Sequence, residues 1–132
     1  MQPNHVLVID DEVALGRALR IRLEAAGYRV THEARGDTGV ESAQCDPPDC
    51  VVLDLRMPGM DGFEVLAILR SQPATRETPI FVVSANVQDE ARQRALDAGA
   101  TAFVGKPYNA PLLLEAIGKS VRETISHGET HE

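Results

Sequence analysis

The chain has 132 residues, 43% hydrophobic and 25% charged, and its net charge is −7. This length fits one domain with one core, and an aromatic content of only 4% predicts that the core is aliphatic. An acidic surface lacks the cations that neutralise nucleic-acid phosphates, so we expect no direct contact with nucleic acid, and it also disfavours an anionic membrane. The first residues contain neither a cationic stretch nor a long apolar run, so we expect a cytoplasmic protein.

Short apolar runs alternate with segments of helical periodicity along the chain. The runs predict strands at 6–9, 28–32, 50–53, 79–83 and 101–104. Because these strands are apolar throughout rather than alternating, we expect helices on both faces of a parallel sheet. Right-handed crossovers then predict an α/β fold, a flavodoxin-like doubly wound (βα)5 sandwich, with a five-stranded parallel sheet of order 2-1-3-4-5.

Helices are predicted after each strand. The first ends at Gly27, and the others are expected at about 37–44, 63–70, 88–98 and after Asn109, which is expected to cap the last helix. We assign residues 1–125 to the domain and residues 126–132 to a polar C-terminal tail, which is too short to form a second domain.

Polar side chains fall at the points where the predicted strands end. Asp10 and Asp11 follow the first strand, Asp54 the third and Ser84 the fourth, and Lys106 comes just after the fifth. In an open parallel sheet the carboxyl ends of the strands meet at one edge, and ligands bind there near the switch point of the strand order. We therefore expect these five residues to form one site.

Three carboxylates at one site require a counter-charge. Two carboxylates about 4 Å apart repel by roughly 4 kcal/mol at an effective dielectric of about 20, so three cannot all ionise comfortably near neutral pH. A hard divalent cation with oxygen ligands relieves this repulsion, and Mg²⁺ suits a partly hydrated site of this kind. The alternative is that Asp10 and Asp11 only cap the first helix, a role that one of them can combine with metal binding.

Lys106 is one of only two lysines among 13 basic residues. Its ammonium is a point charge suited to a single oxygen, unlike the planar fork of arginine. A carboxylate nucleophile, a cation, an amine and the Ser84 hydroxyl are the groups that phosphoryl transfer requires. Asp54 is the expected nucleophile, because the third strand lies between the acidic pair and the serine–lysine pair.

Four segments match a known family: Val8 to Glu12, Asp54 to Gly62, Ser84-Ala85 and Lys106-Pro107. Together they resemble the receiver domain of two-component response regulators, of the single-domain type found among chemotaxis regulators. The resemblance covers essentially the whole chain to about Val121. It implies a signalling protein that accepts a phosphoryl group from a histidine kinase or a histidine phosphotransfer protein. It also implies that the protein is not an enzyme, and promotes only its own phosphorylation and dephosphorylation.

The resemblance further implies a set of metal ligands. Asp54 is the implied phosphoacceptor, and it binds Mg²⁺ directly together with Asp11, whereas Asp10 binds the ion mainly through water. The backbone carbonyl of Arg56 completes the protein ligands. Mn²⁺ is the alternative ion.

Three more roles are implied by the same family. Ser84 and Lys106 contact the phosphoryl oxygens, and the Lys106–Pro107 peptide bond is expected to be cis. Phe103 occupies the aromatic switch position that works with Ser84. The alternative for Phe103 is a plain core aromatic, because burial alone would explain it.

The helix at 88–98 bears on the output of such a switch. Its only large aliphatic residue is Leu96, so we expect it to be lightly anchored, although alanine can also serve merely as a helix former. A downstream protein, or a second copy of the chain, is expected to bind the face formed by residues 88–121.

Three other classes of protein fit parts of this pattern. A phosphatase of the haloacid dehalogenase type places an Asp-x-Asp nucleophile on its first strand and carries a cap insertion, neither of which matches this sequence. In a flavodoxin the loop after the first strand binds phosphate, which the acidic residues there would repel. An interaction module that works without phosphorylation would have no need of the intact acidic, hydroxyl and amine groups.

Overall fold

The computed structural model describes residues 4–57 and 59–129, with side chains as far as residue 123. Five strands alternate with five helices. In chain order the elements are β1 (His5–Ile9), α1 (Val13–Ala25), β2 (Arg29–Glu33), α2 (Gly36–Cys45), β3 (Cys50–Asp54), α3 (Gly62–Ser71), β4 (Ile80–Ser84), α4 (Asp89–Asp97), β5 (Ala102–Gly105) and α5 (Ala110–Glu129).

All five strands form one parallel sheet in the order β2-β1-β3-β4-β5, which confirms the predicted topology. The register pairs Ile9 with Leu53, Asp54 with Val83 and Ser84 with Gly105. The carboxyl ends of β1, β3, β4 and β5 are therefore level with one another, so the residues that end these strands lie along one edge of the sheet.

The core has two layers because successive side chains of a strand point to opposite faces of the sheet. One face carries Leu7, Ile9, Val51, Leu53 and Val82, which pack against apolar side chains of α2, α3 and α4. The other face carries Val6, Val8, Val30, Val52 and Val83, which pack against α1 and α5. Burying one such side chain contributes roughly 1.5–3 kcal/mol, so both layers are needed to stabilise the domain.

Helix α4 is attached to the core mainly by small side chains. Ala95 is completely buried, whereas Leu96 is 38% exposed. The helix turns Ala95 toward the sheet, so its one large aliphatic residue contributes little to the core, in keeping with the light anchoring expected from the sequence. Two arginines add contacts: the guanidinium carbon of Arg94 lies 3.8 Å from the centre of the Phe63 ring, and that of Arg92 lies 5.2 Å from the Phe103 ring.

The C-terminal end of α4 is held by Arg70, which lies near the end of α3. Its Nε donates to the carbonyl of Gly99 at 2.9 Å. Its Nη1 donates to three carbonyl oxygens of the loop before β4, those of Thr75, Arg76 and Thr78. Gly99 has a φ of 108°, a conformation that favours glycine, and the same is true of Gly27 after α1, where the sequence predicted the helix end.

Helix α5 begins as predicted and extends beyond its expected end. The Asn109 side chain accepts a hydrogen bond from the backbone N–H of Leu112 at 3.1 Å, which confirms the predicted cap. The helix continues to Glu129, so residues 126–129 of the expected tail have helical backbone, while residues 130–132 lie outside the described part. Within the described residues, no helix combines the length and the apolar character needed to cross a membrane.

Candidate functional site

The predicted polar residues meet at the carboxyl edge of the sheet. Asp10 follows β1, Asp54 ends β3, Ser84 ends β4, and Lys106 directly follows β5. Asp10 and Asp54 are each 3% exposed and Ser84 is 1% exposed. Three polar side chains are thus buried together at one edge of the sheet, which is rare unless they have partners there.

Lys106 lies among the carboxylates. Its Nζ is 3.2 Å from Oδ2 of Asp54, 3.1 Å from Oδ2 of Asp10 and 2.9 Å from Oε1 of Glu12. The Lys106–Pro107 peptide bond is cis, as predicted. The backbone N–H of Lys106 also donates to the Ser84 carbonyl at 2.8 Å, which ties the end of β5 to the end of β4.

Asp54 has both carboxylate oxygens engaged. Oδ1 accepts a hydrogen bond from the backbone N–H of Arg56 at 3.1 Å, and Oδ2 accepts one from Lys106. Burial raises the pKa of Asp54 to about 6, and the negative charge of Asp10 acts in the same direction, against the opposing effects of the Arg56 N–H and Lys106. The Asp54 carboxylate is therefore costly to ionise unless a further cation is present.

The same surroundings favour the charged form of Lys106, whereas they disfavour the charged form of Asp54. Burial by itself lowers the pKa of the ammonium, but hydrogen bonds to Glu12 and Asp10 and the nearby charge of Asp54 outweigh it, so the pKa is raised. Lys106 is positively charged at any physiological pH and partly neutralises the acidic cluster.

The carboxylates fit a divalent cation. Asp10, Glu12 and Asp54 each offer an oxygen, and these oxygens all lie within 4.8 Å of one another. Hard carboxylate oxygens are the donors that Mg²⁺ prefers. Glu12 had been given no role from the sequence, although the run Asp10-Asp11-Glu12 is the signal that could have indicated it.

The other expected ligands are placed less directly. Asp11 is half-buried and is not part of this group of three, so its expected direct contact with the ion stays a prediction. Arg56 meets Asp54 through its backbone N–H, and the role of its carbonyl also stays a prediction. Asp10 does accept a hydrogen bond at Oδ1 from the backbone N–H of Glu12 at 2.9 Å, so it stabilises the turn before α1 while its Oδ2 faces Lys106.

Ser84 and Phe103 lie on the neighbouring strands β4 and β5. The Ser84 hydroxyl oxygen accepts a hydrogen bond from the backbone N–H of Asn86 at 3.1 Å. Phe103 is 8% exposed and belongs to the core layer that contains Val82. Burial alone therefore accounts for an apolar residue at this position, and the switch role of Phe103 stays a prediction.

The loop after Asp54 is held closely against β3 by Gly62. A Cβ at this position would collide with the Cα of Leu55 and lie 2.5 Å from the carbonyl oxygen of Asp54. Asp61 caps α3 by accepting a hydrogen bond from the backbone N–H of Glu64 at 3.0 Å. Local turn chemistry therefore fixes the backbone on which Asp54 and Arg56 lie.

Comparison with known proteins gives one consistent family. The family model of the response regulator receiver domain matches residues 6–118. The chain is 39% identical over 127 residues to the transcriptional regulatory protein KdpE of Mycobacterium tuberculosis, a match that covers 96% of this chain and 55% of KdpE. The chain thus spans about half the length of this curated relative.

Solved structures with the same fold include two receiver proteins. The chemotaxis response regulator CheY4 of Vibrio cholerae has a TM-score of 0.84 and 30% identity, over 89% of this chain and 98% of that one. The receiver domain of the sensor histidine kinase PA1611 of Pseudomonas aeruginosa has a TM-score of 0.83 and 28% identity, over 90% and 98% of the two chains. That structure has a magnesium ion coordinated in its active-site cleft.

Proposed function

The chain belongs to the family of response regulator receiver domains, and we propose that it accepts a phosphoryl group on Asp54 in two-component signalling. The observation that carries this assignment is the Asp54 carboxylate, which is buried at the end of β3 with Lys106 on one oxygen and the Arg56 N–H on the other. Asp10 is also buried and contacts Lys106, but it follows β1, whereas Asp54 ends β3, the middle strand of the sheet.

The transfer needs a phosphorylated histidine, or a small acyl phosphate in its place. One oxygen of Asp54 attacks the phosphorus, an O–P bond forms, and the bond from phosphorus to the imidazole nitrogen breaks. The electron pair of that bond stays on the nitrogen. Lys106 supplies positive charge where charge accumulates on the phosphoryl oxygens, and the buried Ser84 hydroxyl lies on the adjacent strand as a second donor.

The acidic cluster would hold the divalent cation that this chemistry uses. Asp10, Asp11, Asp54 and the Arg56 carbonyl are the ligands proposed from the sequence, and Glu12 is added by its proximity to Asp10 and Asp54. We assign Mg²⁺, with Mn²⁺ as the alternative, because all the donors are oxygen atoms. When bound, the cation would neutralise charge on the phosphoryl oxygens.

The same site accounts for loss of the signal. Attack of water on the phosphorus of phospho-Asp54 breaks the O–P bond, releases phosphate and regenerates the carboxylate. The chain would thus promote only its own phosphorylation and dephosphorylation and would not turn over a separate substrate.

The partners proposed are a histidine kinase or histidine phosphotransfer protein upstream, and a protein target or a second copy of the chain downstream. The downstream surface proposed is the face of residues 88–121. Support comes from its exposed cations Arg92, Arg94 and Lys119 and from the lightly anchored α4. KdpE is a transcriptional regulator about twice as long as the matched region, so its output does not transfer to this chain.

Incubation with acetyl phosphate tests the acceptor. Intact-mass spectrometry should show one added phosphoryl group in the presence of Mg²⁺ and none with EDTA. Asp54→Asn should abolish the adduct, whereas Asp97→Asn, which removes an exposed carboxylate of α4, should leave it unchanged. An adduct at wild-type yield in Asp54→Asn would reject Asp54 as the acceptor.

A further inference from the structure

Helix α1 contains a buried glycine in its interior, Gly16. Glycine inside a helix costs roughly 0.5–1 kcal/mol relative to alanine, so its presence requires a reason. A Cβ at this position would collide with Cε1 and Nε2 of His32 and would lie 3.0 Å from its Cδ2. The imidazole of His32, on β2, therefore occupies the space that any other side chain at position 16 would fill.

The His32 ring is directed at the backbone beside the acidic cluster. Its Nε2 lies 2.9 Å from the carbonyl oxygen of Asp10. Because a carbonyl oxygen can only accept, Nε2 carries the hydrogen and donates it. His32 pairs with Val8 in the sheet register, so its side chain extends from the neighbouring strand to the turn between β1 and α1.

Asp10 is thereby held at four points. Its N–H donates to the Glu33 carbonyl at 3.0 Å, its carbonyl accepts from His32, and its Oδ1 accepts from the Glu12 N–H at 2.9 Å. Its Oδ2 then lies 3.1 Å from Lys106. The carbonyl that His32 binds shares a rigid peptide plane with the N–H of Asp11, so this hydrogen bond also sets the direction in which the chain leaves Asp10.

We propose that His32, in the space left by Gly16, is a positioning residue for the divalent-cation site. Its hydrogen bond to the Asp10 carbonyl orients the Asp10–Asp11 peptide so that the acidic turn faces Asp54. This role rests on the proposed function, because it concerns a cation bound by these carboxylates. Groups that orient the residues around a metal are typically worth about 10–100-fold in metal affinity.

The test compares Mg²⁺ affinity, measured by calorimetry at one pH, with the unfolding free energy of each protein measured in EDTA. His32→Leu removes the donor and is expected to weaken Mg²⁺ binding by roughly 10-fold. His32→Gln keeps an N–H donor at similar reach and should restore most of the affinity. His5→Gln is the matched control, since His5 is a buried histidine at the start of β1, at the opposite edge of the sheet, and its replacement should leave Mg²⁺ affinity unchanged.

Gly16→Ala tests the same contact from the helix. It should push the ring off the Asp10 carbonyl and weaken Mg²⁺ binding, although alanine favours the helix. In a His32→Ala background, where no ring is present, the same change should have no further effect on affinity, so the two substitutions should be non-additive. In the metal-free protein, the carbonyl ¹³C shift of Asp10 and the amide shift of Asp11 should move in His32→Leu and Gly16→Ala alike.

The outcomes distinguish failure of the cation site from failure of the positioning role of His32. If the wild-type protein binds no Mg²⁺, the cation site itself is wrong and the role of His32 falls with it. If the wild type binds Mg²⁺ and His32→Leu binds it equally well, the site stands and the positioning role is overturned. Equal losses in His32→Leu and His32→Gln would also overturn it, because the hydrogen bond would then not be the cause.

Discussion

The side chains at the site oppose one another electrostatically. Burial and the charge of Asp10 raise the pKa of Asp54 to about 6, and the Arg56 N–H and Lys106 oppose this rise without cancelling it. A buried titratable group with a shifted pKa and specific charged neighbours is typical of functional sites.

Replacing Asp54 by asparagine should stabilise the metal-free protein. An acid whose pKa is higher in the folded state than its ordinary value of 3.8 contributes stability below about pH 4, and this contribution is lost as the pH rises through about 6. Asp54→Asn should therefore raise the free energy of unfolding by about 2–3 kcal/mol at about pH 7.5, and the difference should vanish near about pH 4. Urea unfolding in EDTA measures this. An equal gain in Asp97→Asn would show a general charge effect instead.

Replacing Lys106 by methionine should move two properties in opposite directions. Phosphorylation by acetyl phosphate should slow by roughly 10²–10³-fold, because a preorganised charge at the phosphoryl oxygens is lost. Mg²⁺ affinity should increase, because the ammonium that lies 3.1 Å from Asp10 and 3.2 Å from Asp54 no longer competes with the ion. Stopped-flow kinetics and calorimetry measure the two effects. Lys119→Met, on the exposed face of α5, is the control. If Lys106→Met lowered both the phosphorylation rate and the Mg²⁺ affinity, Lys106 would not be competing with the ion.

Sequence reasoning predicted Asp10, Asp54, Ser84 and Lys106 because the carboxyl ends of parallel strands must meet at one edge. It did not predict that Glu12 would bind Lys106, nor that His32 would bind the Asp10 backbone. Both contacts depend on the direction of a long or ring-shaped side chain after a turn. No periodicity in the sequence encodes that direction.

Helix α4 is held differently from the other helices. Its only fully buried residue among those described is Ala95, and two arginine–aromatic contacts add to the packing of Ala91 and Ala98 against the core. The strands and helices themselves were predictable within a few residues. The strands are continuous apolar runs because both of their faces are buried, and the helices between them show helical periodicity. The orientation of α4 was not, because one large and several small apolar residues do not define a single face; the helix buries Ala95 and leaves Leu96 38% exposed.

Removal of the Arg94 side chain should therefore loosen α4 without unfolding the domain. A contact of this kind is worth about 0.5–1 kcal/mol, so amide exchange within Asp89–Asp97 should become roughly 2–5-fold faster in Arg94→Ala. Gln93→Ala, which lies on the same helix and contacts no ring described here, should change it less. Hydrogen exchange followed by NMR measures both. Faster exchange throughout β3 and β4 would instead mean that Arg94 supports the whole fold.

The net negative charge of the whole chain and its acidic cluster both favour binding of a cation. The net charge is −7, and the cluster concentrates part of it at one edge. A cation that binds the folded state alone stabilises it by mass action. At a Mg²⁺ concentration ten times the measured Kd, the unfolding free energy should rise by about 1.4 kcal/mol. NaCl at matched ionic strength is the comparison, and an equal gain from NaCl would indicate screening rather than a site.

Phosphorylation of Asp54 should change the conformation of residues 88–121 as well as that of the site itself. Beryllofluoride stands in for the phosphoryl group on Asp54. It is expected to shift amide signals in α4, β5 and α5, because Ser84 ends β4 just before α4 and Phe103 lies on β5 between α4 and α5 in the chain. Two-dimensional amide spectra with and without the analogue give the map. Shifts confined to the neighbourhood of Asp54, with residues 88–121 unchanged, would mean that the output lies elsewhere.

The carbonyl contacts of Arg70 determine what kind of movement such a map should show. One of them holds the carbonyl of Gly99, just past the C-terminal end of α4, so we expect the helix to tilt about a hinge at that end. Its nine residues make an arm of about 13 Å, so a tilt of about 10° displaces the Asp89 end by about 2 Å while the Asp97 end stays nearly still. The amide shifts should accordingly fall off from Asp89 toward Asp97. Uniform shifts along the helix would mean that it slides as a unit, and Arg70→Ala, which removes the hinge, should convert the graded pattern into that uniform one.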